Sequence, residues 1–93
     1  MKDLHSLRKQ GYIDDLTLEY AYEYTNPQLK KLLHTDIAYQ QTLAIRLLNK
    51  RIGYQKDYQE QLKEILDDNP AYYTKQEIEG FFSLLNEKEN KVK

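Results

Sequence analysis

The chain has 93 residues, of which 40% are hydrophobic and 31% charged, and its formal net charge is -1. This length supports one small domain and excludes an active-site cleft between two lobes. The chain contains no cysteine, which excludes disulfides and thiolate ligands and favours a reducing compartment. The sequence has neither an apolar leader segment nor a run of about 18 apolar residues, so we expect a cytoplasmic protein without membrane insertion.

The first two predicted helices are short. Leu4 and Leu7 indicate a helix that Gly11 ends, because glycine readily adopts the left-handed conformation common after a helix. Asp14 or Asp15 can then cap a second helix. The residues that follow at a spacing of four on this helix, and that we expect at the margin of the core, are Leu16, Tyr20 and Tyr24.

The third and fourth predicted helices form a hairpin. Asn26-Pro27 begins the third helix, since asparagine accepts from free N–H groups and proline loses no hydrogen bond in the first turn. Thr35 or Asp36 caps the fourth helix, which ends near Gly53. The residues expected to face the core are Leu29, Leu32 and Leu33 in the third helix and Ile37, Ala44, Leu47 and Leu48 in the fourth.

Two further helices complete the prediction. The fifth stops at Asp67-Asp68-Asn69-Pro70, and the sixth opens with the capping box Thr74-Lys75-Gln76-Glu77. Gly80 inside the sixth helix costs about 1 kcal/mol relative to alanine, so we expect it to permit close packing against a neighbour. The predicted core residues are Tyr54, Tyr58, Leu62, Ile65 and Leu66 in the fifth helix and Ile78, Phe81, Phe82 and Leu85 in the sixth.

A passage in this pattern nearly repeats itself 33 residues later. Residues 28–39 and 61–72 are identical at six of twelve positions, and each leads from a leucine-bearing segment through a polar break into a second apolar segment. Stacked helical hairpins have this pattern. We therefore predict an all-α fold of five or six short helices, stacked as antiparallel hairpins in a short solenoid or a compact bundle. The single domain covers residues 1–85, followed by a frayed tail over 86–93.

Two stretches resemble known families. The hairpin pattern over residues 28–48 and 61–85 resembles a short HEAT-like repeat, with the turn aspartate and apolar second-helix rhythm in residues 36–48. Asn49-Lys50-Arg51-Ile52 and Tyr58-Gln59-Glu60-Gln61-Leu62 are similar to a stretch in bacteriocin immunity proteins of the enterocin and pediocin type. Those proteins are small cytosolic helical bundles that protect a bacterial producer cell, so this resemblance implies an immunity-type function.

Charge is segregated along the chain. Residues 12–24 contain four acidic residues and no basic one, residues 28–56 six basic and one acidic, and residues 57–79 seven acidic and two basic. Adjacent helices of opposite charge can neutralise each other, with each exposed pair contributing about 0 to 1 kcal/mol. Alternatively, the basic side chains gather on one face and attract an acidic partner.

The sequence contains no motif typical of catalysis or of metal binding. Ser6 and Ser83 are the two serines and His5 and His34 the two histidines, and neither a nucleophile elbow nor a glycine-rich turn surrounds them. His34 lies near a predicted helix C-terminus, where a cationic imidazole is favoured by the helix dipole. We expect a protein that is not an enzyme and holds no cofactor or metal.

The surface chemistry favours binding to another protein. With nine Tyr, two Phe and no Trp, most aromatic surface carries hydroxyl groups that must face water or a partner. We expect a groove between hairpins to take an apolar partner segment, while basic side chains select acidic residues beside it. An immunity or anti-regulator role is the concrete form of this hypothesis. The predicted partner-binding residues are Tyr20, Tyr24, Tyr39, Tyr54, Tyr58, Lys30, Lys31, Lys50 and Arg51.

A small DNA-binding transcriptional regulator is the competing hypothesis. It uses the helix around residues 36–51, in which glutamine reads adenine and the basic side chains contact phosphates. The net charge of -1 and the acidic segments on both sides oppose this hypothesis. The residues concerned are Gln40, Gln41, Arg46, Lys50 and Arg51.

Overall fold

Six α-helices make up the regular structure of the described part of the chain. The computed structural model describes residues 4–92, and side-chain surroundings for residues 6–87. No strand occurs among residues 4–92, which confirms the predicted all-α class. In chain order the helices are α1 (Leu4–Lys9), α2 (Asp15–Ala21), α3 (Asn26–Leu32), α4 (Ala38–Ile52), α5 (Lys56–Asp67) and α6 (Tyr72–Val92).

Helix α4 is the centre of the fold. It packs against α1, α3 and α6, and α5 packs against α6. Each fully buried leucine or isoleucine contributes roughly 1.5–3 kcal/mol relative to an exposed one, so α4 carries much of the hydrophobic stabilisation. Its buried residues are Thr42, Leu43, Ala44, Ile45, Leu47, Leu48 and Ile52.

The internal repeat corresponds to two helical hairpins, α3–α4 and α5–α6. Equivalent positions have equivalent surroundings: Leu29 and Leu62 are fully buried in the first helices, and Ile45 and Ile78 are fully buried in the second helices. The Cα radius of gyration is 13.4 Å, close to the value of about 12 Å expected for a compact domain of this length. Of the two predicted arrangements, the compact one is therefore observed.

The second half of α6 extends past the predicted domain boundary. Its backbone is helical through Val92, so the boundary predicted at residue 85 falls inside the helix. Residue 93 of the predicted tail lies outside the described residues. Ile78 is fully buried as predicted, whereas Phe81, Phe82 and Leu85 are half-buried. No helix among the described residues is long and apolar enough to cross a bilayer.

The start of α3 is fixed by a capping box one residue earlier than predicted. The hydroxyl of Thr25 accepts from the Gln28 backbone N–H at 3.4 Å, and the Gln28 side chain accepts from the Thr25 N–H at 2.9 Å. These two bonds satisfy donors that the helix itself cannot pair. The cap is therefore Thr25, and Asn26 is the first helical residue.

The capping box predicted at Thr74 is wrong, because α6 begins at Tyr72 and Thr74 lies inside it. Thr74 is buried, and its hydroxyl is 2.6 Å from that of Thr42. The Thr42 hydroxyl donates to the Ala38 carbonyl at 3.0 Å, so the hydrogen between the two threonines comes from Thr74. A distant segment also serves the start of α6, since the Tyr73 N–H donates to the Gln10 carbonyl at 2.8 Å.

The predicted cap of α4 is also wrong. Ile37 occupies the capping position, and the Thr35 hydroxyl accepts from its N–H at 3.3 Å without reaching the helix proper. Ile37 was expected in the core but is exposed. Because it precedes the helix in extended backbone, its side chain does not follow the α4 face that carries Ala44 and Leu48.

Two glycines allow close packing, and neither is Gly80. Gly11 follows α1 with φ of 96°, and a Cβ there would lie 2.7 Å from the Thr74 hydroxyl oxygen. A Cβ on Gly53 would lie 2.9 Å from the Phe81 ring. A Cβ on Gly80 would meet nothing within 4 Å, so the close packing predicted at Gly80 is wrong. Gly11 does end the first helix as predicted.

Candidate protein-binding groove

The outer side of α2 presents apolar side chains to solvent. Leu16 is 61% exposed, Tyr20 70% and Tyr24 43%, so the predicted place at the core margin is wrong for this row. The buried side of the helix consists of Ala21 and the half-buried Leu18. Ala21 and Leu18 are three residues apart and so also share one side of the helix. The neighbouring helices cover this side rather than the row of Leu16 and Tyr20.

A groove of about 410 Å³ opens beside this row, between α2, α3 and α4. Tyr20 borders it from α2, Tyr24 from the connection between α2 and α3, and Tyr39 from the start of α4. Ala21 and Leu43, both buried, form part of its base. We call it the tyrosine groove.

The lining of the tyrosine groove is apolar with a few neutral polar groups. Leu32 adds aliphatic surface from α3, and Thr17, Gln28 and Gln40 supply one hydroxyl and two amides. None of the described lining residues carries a charge. Such a surface can bury apolar groups and exchange hydrogen bonds, but it offers neither a nucleophile beside a base nor a pair of carboxylates.

An acidic row runs along α2 and into the turn that follows it, next to the exposed apolar row. Asp15 and Glu19 on α2 and Glu23 after it are exposed and follow one another at a spacing of four. Glu19 and Glu23 share a shallow depression with Leu16 and Tyr20, which places the two rows side by side. Within the described residues, none of the three carboxylates forms an ion pair. We call Asp15, Glu19 and Glu23 the acidic row.

A polar network at the end of α1 holds Tyr39 in place. The Arg8 guanidinium carbon lies 5.2 Å from the centre of the Tyr39 ring, a cation–π distance. The same side chain donates to Asp14 at 3.1 Å, and the Thr17 hydroxyl donates to Asp14 at 2.6 Å. The hydrogen bond from Thr17, followed by that from Arg8, lowers the pKa of Asp14 in spite of some desolvation. Asp14 precedes α2 as predicted, but its carboxylate binds these side chains rather than the helix N–H groups.

The five predicted partner-binding tyrosines do not form one surface. The structure brings Tyr20, Tyr24 and Tyr39 together in the groove, while Tyr54 lies outside it and is 77% exposed. Tyr58 is 2% exposed and cannot reach a partner in this conformation.

The buried hydroxyl of Tyr58 belongs to the core. It donates to Asn49 Oδ1 at 2.5 Å and lies 3.1 Å from the Ile45 carbonyl oxygen. Burial raises the pKa of Tyr58 far above its usual range, and the Glu77 carboxylate raises it further. The phenol therefore stays neutral and acts as a hydrogen-bond donor inside the fold.

Two arginines of the basic segment are engaged within the protein. Arg51 donates to the Tyr24 carbonyl at 2.6 Å, to the Tyr22 carbonyl at 3.1 Å and to Asn26 Oδ1 at 3.2 Å. Its guanidinium thereby fixes the connection from α2 to α3, and its predicted role in partner binding stays a prediction. Arg46 forms an ion pair with Glu77 at 2.5 Å, the neutralising arrangement between helices.

The remaining predicted basic residues lie away from the tyrosine groove. Lys30 and Lys31 are exposed on α3, Lys50 is exposed on α4, and none of the three lines the groove. Lys50 instead lines a wider and more open hollow of about 740 Å³ between α2, α4 and α6. Sequence reasoning did not anticipate this hollow, which also contains Gly80 and the exposed Leu84.

The described residues contain no cluster of three or more His, Cys, Asp or Glu side chains suited to an ion. No family model, curated protein or solved structure matches the chain. The resemblances to HEAT-like repeats and to bacteriocin immunity proteins therefore stay hypotheses.

Proposed function

We propose that this protein is a non-enzymatic protein-binding module that takes an apolar segment of its partner into the tyrosine groove. The observation that carries the proposal is the position of Tyr20 on α2 and Tyr24 just after it, both exposed and both bordering an uncharged groove with a buried base. Soluble monomers commonly expose single apolar residues, but a row of them beside a groove is typical of an interaction surface.

Tyrosine is well suited to this role. Each ring buries a large apolar area, and the hydroxyl can bond to a partner or to water. Only two side-chain torsions are fixed on binding, so the entropy cost is low for the area gained. Tyr39 is already oriented by Arg8, which reduces that cost further.

An immunity or anti-regulator role is the concrete form of the proposal. Such a role requires a stable scaffold that occupies a surface of its target, and it requires no chemistry. The packed core around α4 supplies the scaffold. Leu29 of α3 and Leu43 of α4 belong to this core, so two of the helices that border the groove are part of the scaffold.

The DNA-binding alternative receives less support from the geometry of α4. Gln41 donates to the Leu33 carbonyl at 2.8 Å, and Arg46 and Arg51 are engaged within the protein as described. Seven of the 15 residues of the helix are buried, whereas a recognition helix must offer its side chains to the major groove. Of the five residues in that hypothesis, Lys50 alone is classed as exposed.

The test is an affinity capture from native lysate of the source cells, with and without nuclease. Tyr20→Ala is compared with Tyr54→Ala, since both remove an exposed tyrosine and only Tyr20 borders the groove. We expect the same protein partner with and without nuclease, lost in Tyr20→Ala and retained in Tyr54→Ala. Capture that depends on nucleic acid favours the regulator, and equal loss in both variants contradicts the tyrosine groove as the site.

A further inference from the structure

We infer that the segment taken by the tyrosine groove is a basic amphipathic helix, whose apolar side packs on α2 and whose lysines or arginines face the acidic row. This inference rests on the proposed function and specifies the partner. It reverses the charge expected from the sequence, in which basic residues of this chain select an acidic partner.

The charge at the groove is the first argument. Asp15, Glu19 and Glu23 are exposed and form no ion pair within the described residues. None of the described charged side chains lines the groove itself, and the guanidinium of Arg51 is bonded to backbone carbonyls. Glu19 and Glu23 share a depression with Tyr20, which borders the groove, so these two carboxylates lie beside it and attract cations.

The spacing on α2 is the second argument. Leu16 and Tyr20 lie one turn apart on α2, and Asp15 and Glu19 lie one position earlier. Tyr24 and Glu23 follow in the connection after the helix. Within α2 the apolar and the charged row have the period of an α-helix, so a partner helix with apolar residues and lysines in the same period meets both rows there.

The absence of strands in residues 4–92 is the third argument. An extended peptide that binds by adding a strand needs a sheet edge for its backbone N–H and C=O groups, and α2 offers side chains instead. A helix pairs its own backbone and presents side chains alone, so it can bury apolar area on α2 without leaving polar groups unpaired.

The test uses two synthetic amphipathic helices of about five turns that share one leucine face, flanked by lysine in the first and by glutamate in the second. Fluorescence anisotropy measures binding of each labelled peptide to the full chain. We expect the lysine peptide to bind at least about tenfold more tightly than the glutamate peptide at low salt, with the difference shrinking as salt rises. Tyr20→Ala weakens binding of the lysine peptide, and Tyr54→Ala leaves it unchanged.

Charge reversal supplies the matched control. The double variant Glu19→Lys with Glu23→Lys is expected to lose the preference for the lysine peptide and to gain binding of the glutamate peptide. Glu60→Lys with Glu64→Lys changes two exposed carboxylates at the same spacing on α5, outside the groove lining, and leaves the preference in place. Equal effects of the two double variants mean that net charge alone attracts the peptide, which overturns the inference.

Three further outcomes contradict the inference in distinguishable ways. Tighter binding of the glutamate peptide that depends on Tyr20 overturns the basic partner and leaves the protein-binding groove intact. Binding of neither peptide overturns the inference and leaves the groove to the capture experiment. A dimer of the protein alone that Tyr20→Ala dissociates in sedimentation shows that a second copy occupies the groove.

Discussion

The outer side of α2 and the inner side of α4 carry similar residues in opposite surroundings. Leu16 and Tyr20 are exposed on α2, whereas Leu47 and Leu48 are fully buried on α4. Helix α4 is contacted by α1, α3 and α6, and short α2 is covered mainly through Ala21 and Leu18. Burial in this fold therefore depends on the number of neighbouring helices, and α2 retains apolar area that its own chain does not cover.

The largest expected effect tests the α4 side of this comparison. Leu48→Ala removes a fully buried side chain and leaves a cavity, so we expect the free energy of unfolding to fall by about 2–5 kcal/mol. Tyr20→Ala is expected to change it by no more than about 0.5 kcal/mol, because that ring is exposed. Urea denaturation followed by circular dichroism measures both. A loss for Tyr20→Ala as large as that for Leu48→Ala would break the distinction.

Gly11→Ala is expected to cause the next largest loss of stability. The substitution places a Cβ in a backbone with φ of 96° and within 2.7 Å of the Thr74 hydroxyl oxygen, so we expect a loss of about 1–3 kcal/mol. Thermal unfolding measures it. An unchanged melting temperature would show that the contact between the end of α1 and α6 is not closely packed. Thr74→Ala with and without Gly11→Ala separates the two causes, because removal of the Thr74 hydroxyl abolishes the oxygen contact and leaves the backbone strain.

Tyr58→Phe measures how much the buried hydroxyl of Tyr58 stabilises the fold, in contrast to the hydroxyl of an exposed tyrosine. At neutral pH we expect a loss of about 0.5–1.5 kcal/mol, since the hydrogen bond to Asn49 disappears. The pKa of Tyr58 is raised in the folded state, so the unfolded chain releases this proton near its ordinary value of about 10 while the folded chain retains it. The contribution of the hydroxyl is therefore fully present below about pH 10 and is lost as pH rises through the folded pKa.

The measurement for Tyr58 is the difference in unfolding free energy between wild type and Tyr58→Phe from pH 8 to about pH 11. We expect this difference to shrink at the alkaline end. Tyr54→Phe serves as the control, because its ring is exposed and its hydroxyl makes no described hydrogen bond. A constant difference for Tyr58 would contradict the raised pKa.

Gly80→Ala has the smallest expected effect, and its sign is opposite. The added Cβ meets nothing within 4 Å in the interior of α6, so we expect stability to rise by up to about 1 kcal/mol. Thermal unfolding compares it directly with Gly11→Ala. A destabilised Gly80→Ala protein would mean that the hollow between α2, α4 and α6 is narrower in solution than in the structure.

The sequence predicted the presence of the helices more successfully than the residues at which they begin and end. Thr25 and Thr74 both begin a pattern of threonine followed three residues later by glutamine or glutamate, but only Thr25 caps a helix. Thr74 contacts Thr42, and the Gln10 carbonyl serves the start of α6. Both contacts come from segments far away in the chain, so the local pattern carries no signal for them.

The candidate site was predictable only in part, because burial of its residues also depends on contacts with distant segments of the chain. Tyr20, Tyr24 and Tyr39 were expected in one groove and do line it, although whether they bind a partner stays a prediction. Helical spacing placed both Tyr54 and Tyr58 on the core face of the fifth helix, and this is wrong for Tyr54, which precedes α5 and is exposed. Tyr58 lies inside α5 under α6, with its ring centre 6.3 Å from that of Phe81.

The hydrogen bond between the Tyr73 N–H and the Gln10 carbonyl affects the order in which the helices associate during synthesis. On the ribosome the chain emerges at about 5–20 residues per second, N-terminus first, so α1 appears well before the start of α6. Until then the end of α1 has only the α4 part of its packing surface, at Thr42, and lacks the part that Thr74 supplies. Closing so long a loop is slow compared with forming a local helical hairpin. We therefore expect α3–α4 to associate early and the contact between the end of α1 and α6 to form only after most of the chain has been synthesised.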